Sequence, residues 1–288
     1  MIVETLNTVV VAQPAEPGVL GTMQDGALQL LFRWIHVVAG VLWIGLLYFF
    51  NWVNGPFEGK LDGPTKKIVV PELRPRALFF FRWGAAYTWI SGILLLGLLY
   101  YHASGGALNG NFWANASDAA ADGRTTVFSL IALGLVLVLF PVYDMIAKAL
   151  SKSRPASLWV WYLVALGYAA MMQYWLGASD RAIYIHVGAL FGTMMAANVW
   201  MRIWPNQKRI ITAIKGGQAP DAAWVGLAGL RSRHNTFMSM PLLLLMISVH
   251  MPYMLGQHQA TAVIAGVLVV GYLATDWIYK VSAKVPGF

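Results

Sequence analysis

Cysteine is absent from this 288-residue sequence. The chain can therefore form no disulfide, no thiolate-bound metal site and no covalently attached c-type haem. Charged residues are also scarce, at 11% of the chain, whereas soluble domains carry about 25%. Hydrophobic residues make up 58% of the chain, and its mean hydropathy is +0.60. This balance predicts an all-α integral membrane protein.

Lysine and arginine are absent from the first 24 residues. A secretory signal peptide needs a positively charged start and a longer apolar core than this stretch has. Residues 1–26 are therefore interpreted as a short extracytoplasmic tail, and residues 27–288 as a single transmembrane helical domain. No internal repeat is visible, which disfavours a transporter built from two related halves.

Seven apolar segments follow, each long enough to cross a bilayer as a helix. They cover residues 27–50, 77–101, 125–147, 157–177, 182–204, 234–255 and 260–280. Two long loops, 51–76 and 205–233, are predicted between them. Three prolines within the spans are expected to kink their helices, namely Pro141, Pro241 and Pro252. The sequence thus predicts a bundle of about seven transmembrane helices.

The positively charged loop residues predict the orientation of the bundle. If the N-terminus lies outside, nearly all loop Lys and Arg residues fall on the inner side, and only Arg124 and Arg181 fall outside. This asymmetry predicts an N-terminus outside and a C-terminus inside the lipid bilayer. The net charge of +8 follows from this topology, so no nucleic-acid partner is expected.

Three of the six histidines lie within predicted spans, near their outer ends. At 1.5 Å per residue, His36 lies roughly 13 Å, His186 roughly 6 Å and His250 roughly 8 Å below the outer surface. Intramembrane ionisable residues are costly and are candidates for function. Neutral imidazole ligates haem iron, so two of the three would make a b-type haem site. His186 and His250 match best in depth, and His36 can pair with either. The alternative is that each simply hydrogen-bonds a neighbouring helix.

Arg33 lies three residues before His36, so both side chains project from one face of the first helix. A haem held by that face would have its propionates near this guanidinium. The alternative is that Arg33 reaches the lipid headgroups. His102 and His258 are interpreted as interfacial residues. Four charged residues near the inner ends of spans are interpreted as structural ion pairs or snorkelling groups: Arg82, Asp144, Arg202 and Asp276.

Four stretches together resemble the membrane domain of the bacterial membrane-bound urate hydroxylases of the PuuD type. They are RWIHVVAGVLWIG (33–45), YTWISGILLL (87–96), IHVGALFGTMMAANVWMRIWPNQKR (185–209) and SRHNTFMSMPLLLLMISVHMPY (232–253). The Pro-Asn-Gln after the fifth span and the HNT…MP…MIS-x-H run are the specific parts. The resemblance covers nearly the whole chain from about residue 27.

This resemblance implies a helical domain in the bacterial inner membrane that oxidises urate to 5-hydroxyisourate and passes electrons to the respiratory chain. Members of the full type carry a C-terminal cytochrome c domain. This sequence has no CxxCH motif, so the acceptor is expected on a separate protein. The family's histidines correspond to His36, His186, His234 and His250. Four polar residues in the motifs are candidate contacts for a polar, planar substrate, with helix capping as the alternative: Asn198, Asn206, Gln207 and Asn235.

Residues and resemblance together predict a membrane oxidoreductase subunit with a b-type haem held by two of His36, His186 and His250, near Arg33. Its partner would be a separate cytochrome c or respiratory complex, and its substrate urate or another small reductant such as quinol. A separate inner-side site is predicted from four residues: His234, Asn235, Asn206 and Gln207. The alternative function is a non-catalytic haem-binding or structural subunit, or an assembly factor, of a respiratory redox complex.

Overall fold

The computed structural model describes residues 19–101, 112–114 and 125–285. Nearly all of these residues are helical, and a single bridge between Trp113 and Ala178 is the only pairing of extended backbone among them. The α-helices in this part of the chain are α1 (Val19–Tyr48), α2 (Gly55–Lys60), α3 (Gly63–Leu96), α4 (Thr125–Val138), α5 (Phe140–Ala149), α6 (Arg154–Ala170), α7 (Asp180–Asn198), α8 (Trp204–Lys215), α9 (Ala222–Ile247) and α10 (Ala260–Ser282). The predicted all-α class is confirmed here. Most of the predicted N-terminal tail, and His102, lie outside the described residues.

Short π-helical segments join several of these helices without a loop. Phe49–Asn54 connects α1 to α2, and Val199–Ile203 connects α7 to α8. Gly97–Tyr101 extends α3, and Met171–Trp175 extends α6. A π segment accommodates an extra residue in its turn and is often found at functional sites. Two of them, Phe49–Asn54 and Val199–Ile203, join their spans to helices that lie past the predicted ends at residues 50 and 204.

The predicted loops 51–76 and 205–233 are largely helical, so that prediction is wrong. The carboxylate of Asp62 accepts a hydrogen bond from the Thr65 backbone N–H at 2.8 Å and so caps the start of α3. Asp221 caps α9 in the same way, with a hydrogen bond of 2.7 Å. These caps begin helices in segments whose charge and proline content favour loops.

Pro141 divides the predicted span 125–147 into two helices. The axes of α4 and α5 differ by 44°, and the proline lies in the first turn of α5. Proline lacks an N–H, and its ring clashes with the carbonyl four residues earlier. The expected kink at this position is therefore present.

The predicted span 234–255 does not form one continuous helix. Helix α9 ends at Ile247, and 3₁₀ turns occupy Ser248–His250 and Pro252–Met254. Pro252 has no N–H to donate to the Ser248 carbonyl, and its ring clashes with that carbonyl, so an α-helix through Ser248 is disfavoured. His250 consequently lies on an irregular turn.

Within the described residues, five helical stretches are long and apolar enough to cross a membrane. They are Gly26–Lys60, Gly63–Tyr101, Pro155–Trp175, Asp180–Lys215 and Ala260–Ser282, and the bent pair α4–α5 would make a sixth. Helix α9 is not among them, because Arg231 and Arg233 lie in its middle. The chain thus has the helices of a multi-pass membrane protein, while the predicted count of seven and the predicted orientation are not confirmed.

Helix α7 lies at the centre of the bundle and α1 at its edge. Tyr184, Phe191 and Met194 on α7 are fully buried. Helix α1 packs mainly along α3 and touches α9 only lightly. Gly84 allows the close approach of α3, since a Cβ there would lie 3.3 Å from the Ala39 carbonyl oxygen of α1. This arrangement leaves a cleft between α1 and α9.

Candidate functional site

The cleft between α1, α3, α7 and α9 encloses a cavity of about 810 Å³. On α1 its lining extends from Arg33 to Tyr48, which at 1.5 Å per residue is roughly 22 Å along the axis. Most of the lining is apolar. Its ionisable and hydroxyl side chains are Arg33, His36, Tyr48, Thr88, Tyr100, Arg181 and His250.

His36 lies on α1 with its ring against α3. Its Nδ1 is 2.9 Å from the Thr88 carbonyl oxygen, and because a carbonyl only accepts, Nδ1 carries the hydrogen. Nε2 therefore keeps its lone pair, and no described residue donates to it. Gly92 makes room for the ring, since a Cβ there would lie 2.8 Å from His36 Cε1. Metal-bound histidines are commonly oriented by such a bond from the other ring nitrogen.

His250 lines the same cavity from the far end of α9, on the 3₁₀ turn Ser248–His250. Its side chain is exposed and makes no hydrogen bond with the part of the chain that the structure describes. Ser248 steadies the turn by donating to the Leu245 carbonyl at 2.6 Å. Two imidazoles from different elements thus line one cavity, each with a ring nitrogen available.

His186 is fully buried and does not line this cavity. Its Nδ1 donates to the Ala182 carbonyl at 2.7 Å, and its Nε2 accepts from the Tyr101 hydroxyl at 2.7 Å. With both nitrogens hydrogen-bonded, this imidazole has no free lone pair for a metal. His36 and His250 therefore line one cavity, and His186, which matches His250 best in depth, does not.

Two arginines make the lining of the cavity positively charged. Arg33 lies one turn before His36, and Arg181 lies at the start of α7. The Nε of Arg181 is buried and has no hydrogen-bond partner among the described residues. No acidic side chain is among the described residues that line the cavity. This end is suited to carboxylates or to another anionic group.

The cavity also opens sideways, between α1 and α9. Val37 and Val41 on α1, and Leu243 and Ile247 on α9, line the cavity and are exposed. In a bilayer these side chains face hydrocarbon. At the deep end, the Tyr48 hydroxyl lies 3.0 Å from Ser239 Oγ and joins α1 to α9. The cavity can therefore be reached from the lipid layer.

His234 lies away from the cavity, in a buried polar cluster. Its Nδ1 is 3.0 Å from the Tyr143 hydroxyl, and its Nε2 is 3.0 Å from Ser157 Oγ. The Asn198 amide donates to the Tyr143 hydroxyl and to Asn235 Oδ1, both at 2.8 Å. All five side chains are fully buried. The cluster joins α5, α6, α7 and α9, and it contains two of the predicted inner-side residues.

An ion cluster centred on Asp144 lies beside these residues. The carboxylate contacts Arg202 and Arg231 at 2.7 Å each, and Lys148 at 2.8 Å. Arg231 has no exposed surface. Buried charges are tolerated when they are paired. Asp144 and Arg202 form a structural ion pair, as the sequence indicates. Arg231 also pairs with Asp144, and the sequence does not indicate this contact.

The other two predicted inner-side residues, Asn206 and Gln207, lie in the first turn of α8. Asn206 Nδ2 donates to the Arg202 carbonyl at 2.7 Å, and Gln207 Oε1 accepts from Arg74 at 3.1 Å. In the described part of the chain, neither forms a direct hydrogen bond with His234. The predicted inner-side residues are therefore divided between two groups.

The sequence analysis did not find three residues that shape the cavity. By sequence, Arg181 is a charged residue of an outer loop. It lies only five residues before His186, and so at the same end of the bundle as the outer histidines. Gly92 is one small residue in a long apolar run, and nothing local distinguishes it. Thr88 contributes a backbone carbonyl, for which residue type carries no information.

Comparison with known protein families gives one match, which covers most of the chain. A sequence model described as urate oxidase N-terminal matches residues 58–286. The match includes His186, His234 and His250 and begins after His36. No curated protein and no solved structure gives a match. The match covers most of the chain and agrees with the motifs and the helical fold described above. The protein therefore belongs to the urate oxidase N-terminal family.

Proposed function

We propose that this protein is a membrane-embedded oxidoreductase subunit resembling urate hydroxylase, with a b-type haem held between His36 and His250. Electrons would leave to a separate cytochrome c or respiratory complex, in the inner membrane of a bacterial cell. The proposal is supported most directly by two imidazoles that line one cavity with a ring nitrogen free on each. Family membership suggests urate as the substrate.

The volume and the lining of the cavity support the haem proposal. Its volume of about 810 Å³ lies within the range of about 300–1,000 Å³ that is usual for ligand sites. Arg33 and Arg181 offer guanidinium donors for two propionates. The apolar side chains of α1, α3 and α9 would surround the macrocycle. A bound haem would supply one-electron transfer.

The chain prepares His36 for ligation. The Thr88 carbonyl holds the hydrogen on Nδ1, which fixes the tautomer, restricts rotation of the ring and raises the basicity of Nε2. Gly92 keeps the ring close to α3. His250 lies on a short turn, so its position can adjust to a ligand more readily than that of a residue within a helix.

Absorption spectroscopy of the purified protein tests the haem proposal. After expression with sufficient iron and haem, the reduced protein should show a b-type haem band. His36→Ala and His250→Ala should each abolish or shift this band. His258→Asn is the control, because residue 258 lies outside the cavity with φ 50°, a conformation that asparagine tolerates. A wild-type protein without haem, or a band that survives both alanine substitutions, would show that the proposal is wrong.

Urate tests the substrate. Urate should reduce the bound haem, and added cytochrome c should then be reduced at a rate that depends on urate. His36→Ala should lose this activity, and His258→Asn should keep it. A haem that responds to no reductant of this kind would favour the non-catalytic alternative, a haem-binding subunit or assembly factor of a larger redox complex.

The sideways opening favours a second candidate, oxidation of a membrane-soluble quinol. Val41 and Ile247 are exposed at the edge of the cavity, where an isoprenoid tail could extend into the bilayer. A urate anion would instead approach from water. Reduction of the haem by a quinol analogue but not by urate would select this candidate, and the opposite result would exclude it.

A further inference from the structure

Arg82 on α3 is held among aromatic rings, beyond the deep end of the cavity. Its guanidinium carbon lies 4.0 Å from the centre of the Trp204 ring. The ring centres of Phe79 and Trp200 are 5.6 and 5.9 Å away. Trp200 Nε1 also donates to the Arg82 carbonyl at 3.1 Å, which fixes that indole. Three elements therefore hold this side chain in one place.

Arg82 differs from two other arginines of the bundle, which pair with carboxylates. Arg74 pairs with Glu58, and Arg231 pairs with Asp144. Among the described residues, no carboxylate lies within 4.0 Å of Arg82, and its buried Nε makes no hydrogen bond. An unpaired guanidinium within a membrane helix is costly. Within the described residues, this guanidinium therefore has aromatic partners but no counter-ion.

Arg82 lies near the end of the predicted span 77–101, where a long cationic side chain can reach the lipid headgroups. Arg76 lies six residues earlier on α3, roughly 9 Å along the axis, and is exposed. Phe79, toward which Arg82 extends, lies between the two. Phe79 and Trp83 beside the site are exposed, and tryptophan is enriched where hydrocarbon meets the headgroups.

We propose that Arg82, Trp200 and Trp204 form a binding site for the phosphodiester of an anionic phospholipid. The rings cover the guanidinium faces, which leaves the edge that carries its N–H donors for a phosphate. The exposed rings of Phe79 and Trp83 offer an apolar surface to the acyl chains. A zwitterionic lipid would bring its own cation beside the arginine, so an anionic headgroup should be preferred.

The test uses the purified full-length protein, delipidated in detergent and titrated with phosphatidylglycerol, phosphatidylcholine or inorganic phosphate. Native mass spectrometry counts bound lipid, and thermal melting reports stabilisation. Wild type should prefer phosphatidylglycerol by about tenfold, because the choline ammonium of phosphatidylcholine would lie beside the guanidinium and oppose binding. Arg82→Gln should lose that preference. Arg76→Gln removes an exposed cation from the same helix and should keep it.

Several results would overturn the site. One is equal binding of the two lipids by wild type, and another is an unchanged preference in Arg82→Gln. Stabilisation by inorganic phosphate that matches phosphatidylglycerol would assign the site to free phosphate rather than lipid. If Arg82→Gln does not fold, Arg82→Met replaces it. Methionine keeps an apolar stem beside the rings but removes the charge, so retention of the full preference would also refute the proposal.

Discussion

His36 and His186 show that the partner of the second ring nitrogen decides what an intramembrane histidine can do. Both donate through Nδ1 to a backbone carbonyl. In His186 the Tyr101 hydroxyl donates to Nε2, whereas no described residue donates to Nε2 of His36. A neutral imidazole with a free nitrogen can ligate a metal. An imidazole with both nitrogens hydrogen-bonded instead holds neighbouring groups in position.

Gly92→Ala should disturb ligation by His36. The new Cβ would lie 2.8 Å from His36 Cε1, so the ring would have to rotate away from its carbonyl partner. Overpacking of this kind costs about 1–3 kcal/mol. The melting temperature should fall, and the b-type band should shift or weaken. Gly97→Ala is the control, because nothing lies within 4 Å of a Cβ there. Wild-type behaviour of Gly92→Ala would contradict the position of the ring.

Asp144→Asn should destabilise the protein far more than Asp276→Asn. Asp144 lies 2.7 Å from Arg231, which is fully buried, and an uncompensated buried cation costs about 3–5 kcal/mol. Asp276 pairs with Lys280 at 2.6 Å on the surface of α10, and such exposed helical pairs contribute little to stability. Unfolding in detergent measures both. Equal losses would mean that the Asp144 cluster is hydrated.

At the scale of the element, α3 begins at a cap whose strength should depend on pH. Hydrogen bonds from the Thr65 side chain and backbone N–H lower the pKa of the Asp62 carboxyl. A carboxyl whose folded-state pKa is lowered stabilises the fold above its unfolded pKa of about 3.9. That contribution is lost as pH falls through the folded pKa.

Asp62→Asn separates this charge effect from capping, because asparagine also caps helices. The difference in melting temperature between wild type and Asp62→Asn should be largest near neutral pH. It should disappear in acid, where the wild-type carboxyl is protonated. A difference that stays constant with pH would mean that ionisation of the carboxyl does not contribute to the cap.

The sequence predicts where helices lie along the chain better than it predicts which faces meet. Long apolar runs mark the spans, because a bilayer leaves few alternatives to a helix. The depth of a residue along its helix follows from the rise per residue. The direction of its side chain changes by about 100° per residue, so the direction cannot be predicted unless the rotation of the helix is known. His36 and His250 share a cavity because packing sets the rotation of α1, through contacts such as Gly84 against Ala39. No local pattern reports such contacts.

At the scale of the whole molecule, the central helix α7 is largely buried, whereas α1 at the edge of the bundle is largely exposed. In the most apolar part of the Asp180–Lys215 stretch, 78% of the residues are buried. In the most apolar part of the Gly26–Lys60 stretch, only 17% are buried. Moving α1 relative to α9 therefore breaks fewer contacts than moving α7. The sideways opening lies at this exposed edge, so substitutions on α1 are expected to alter access to the cavity.

Val41→Trp should obstruct the sideways opening. Val41 lines the cavity and is 71% exposed, so an indole there would cover the gap between α1 and α9. Transfer of haem from the purified protein to apomyoglobin should slow severalfold, as followed by absorbance. Val38→Trp is the control, since Val38 is also exposed on α1 but does not line this cavity. Equal rates in both variants would indicate that haem leaves by another route.

The opening between α1 and α9 also bears on how the protein should be prepared. A cavity of about 810 Å³ that faces hydrocarbon will admit an alkyl chain, and a detergent micelle supplies such chains in large excess. Extraction in detergent should therefore lower the cofactor content of the sample. Extraction with an annulus of native lipid, in polymer-bounded discs, should preserve it. The extraction method then becomes an experimental variable in its own right, to be fixed before any variant is compared with wild type.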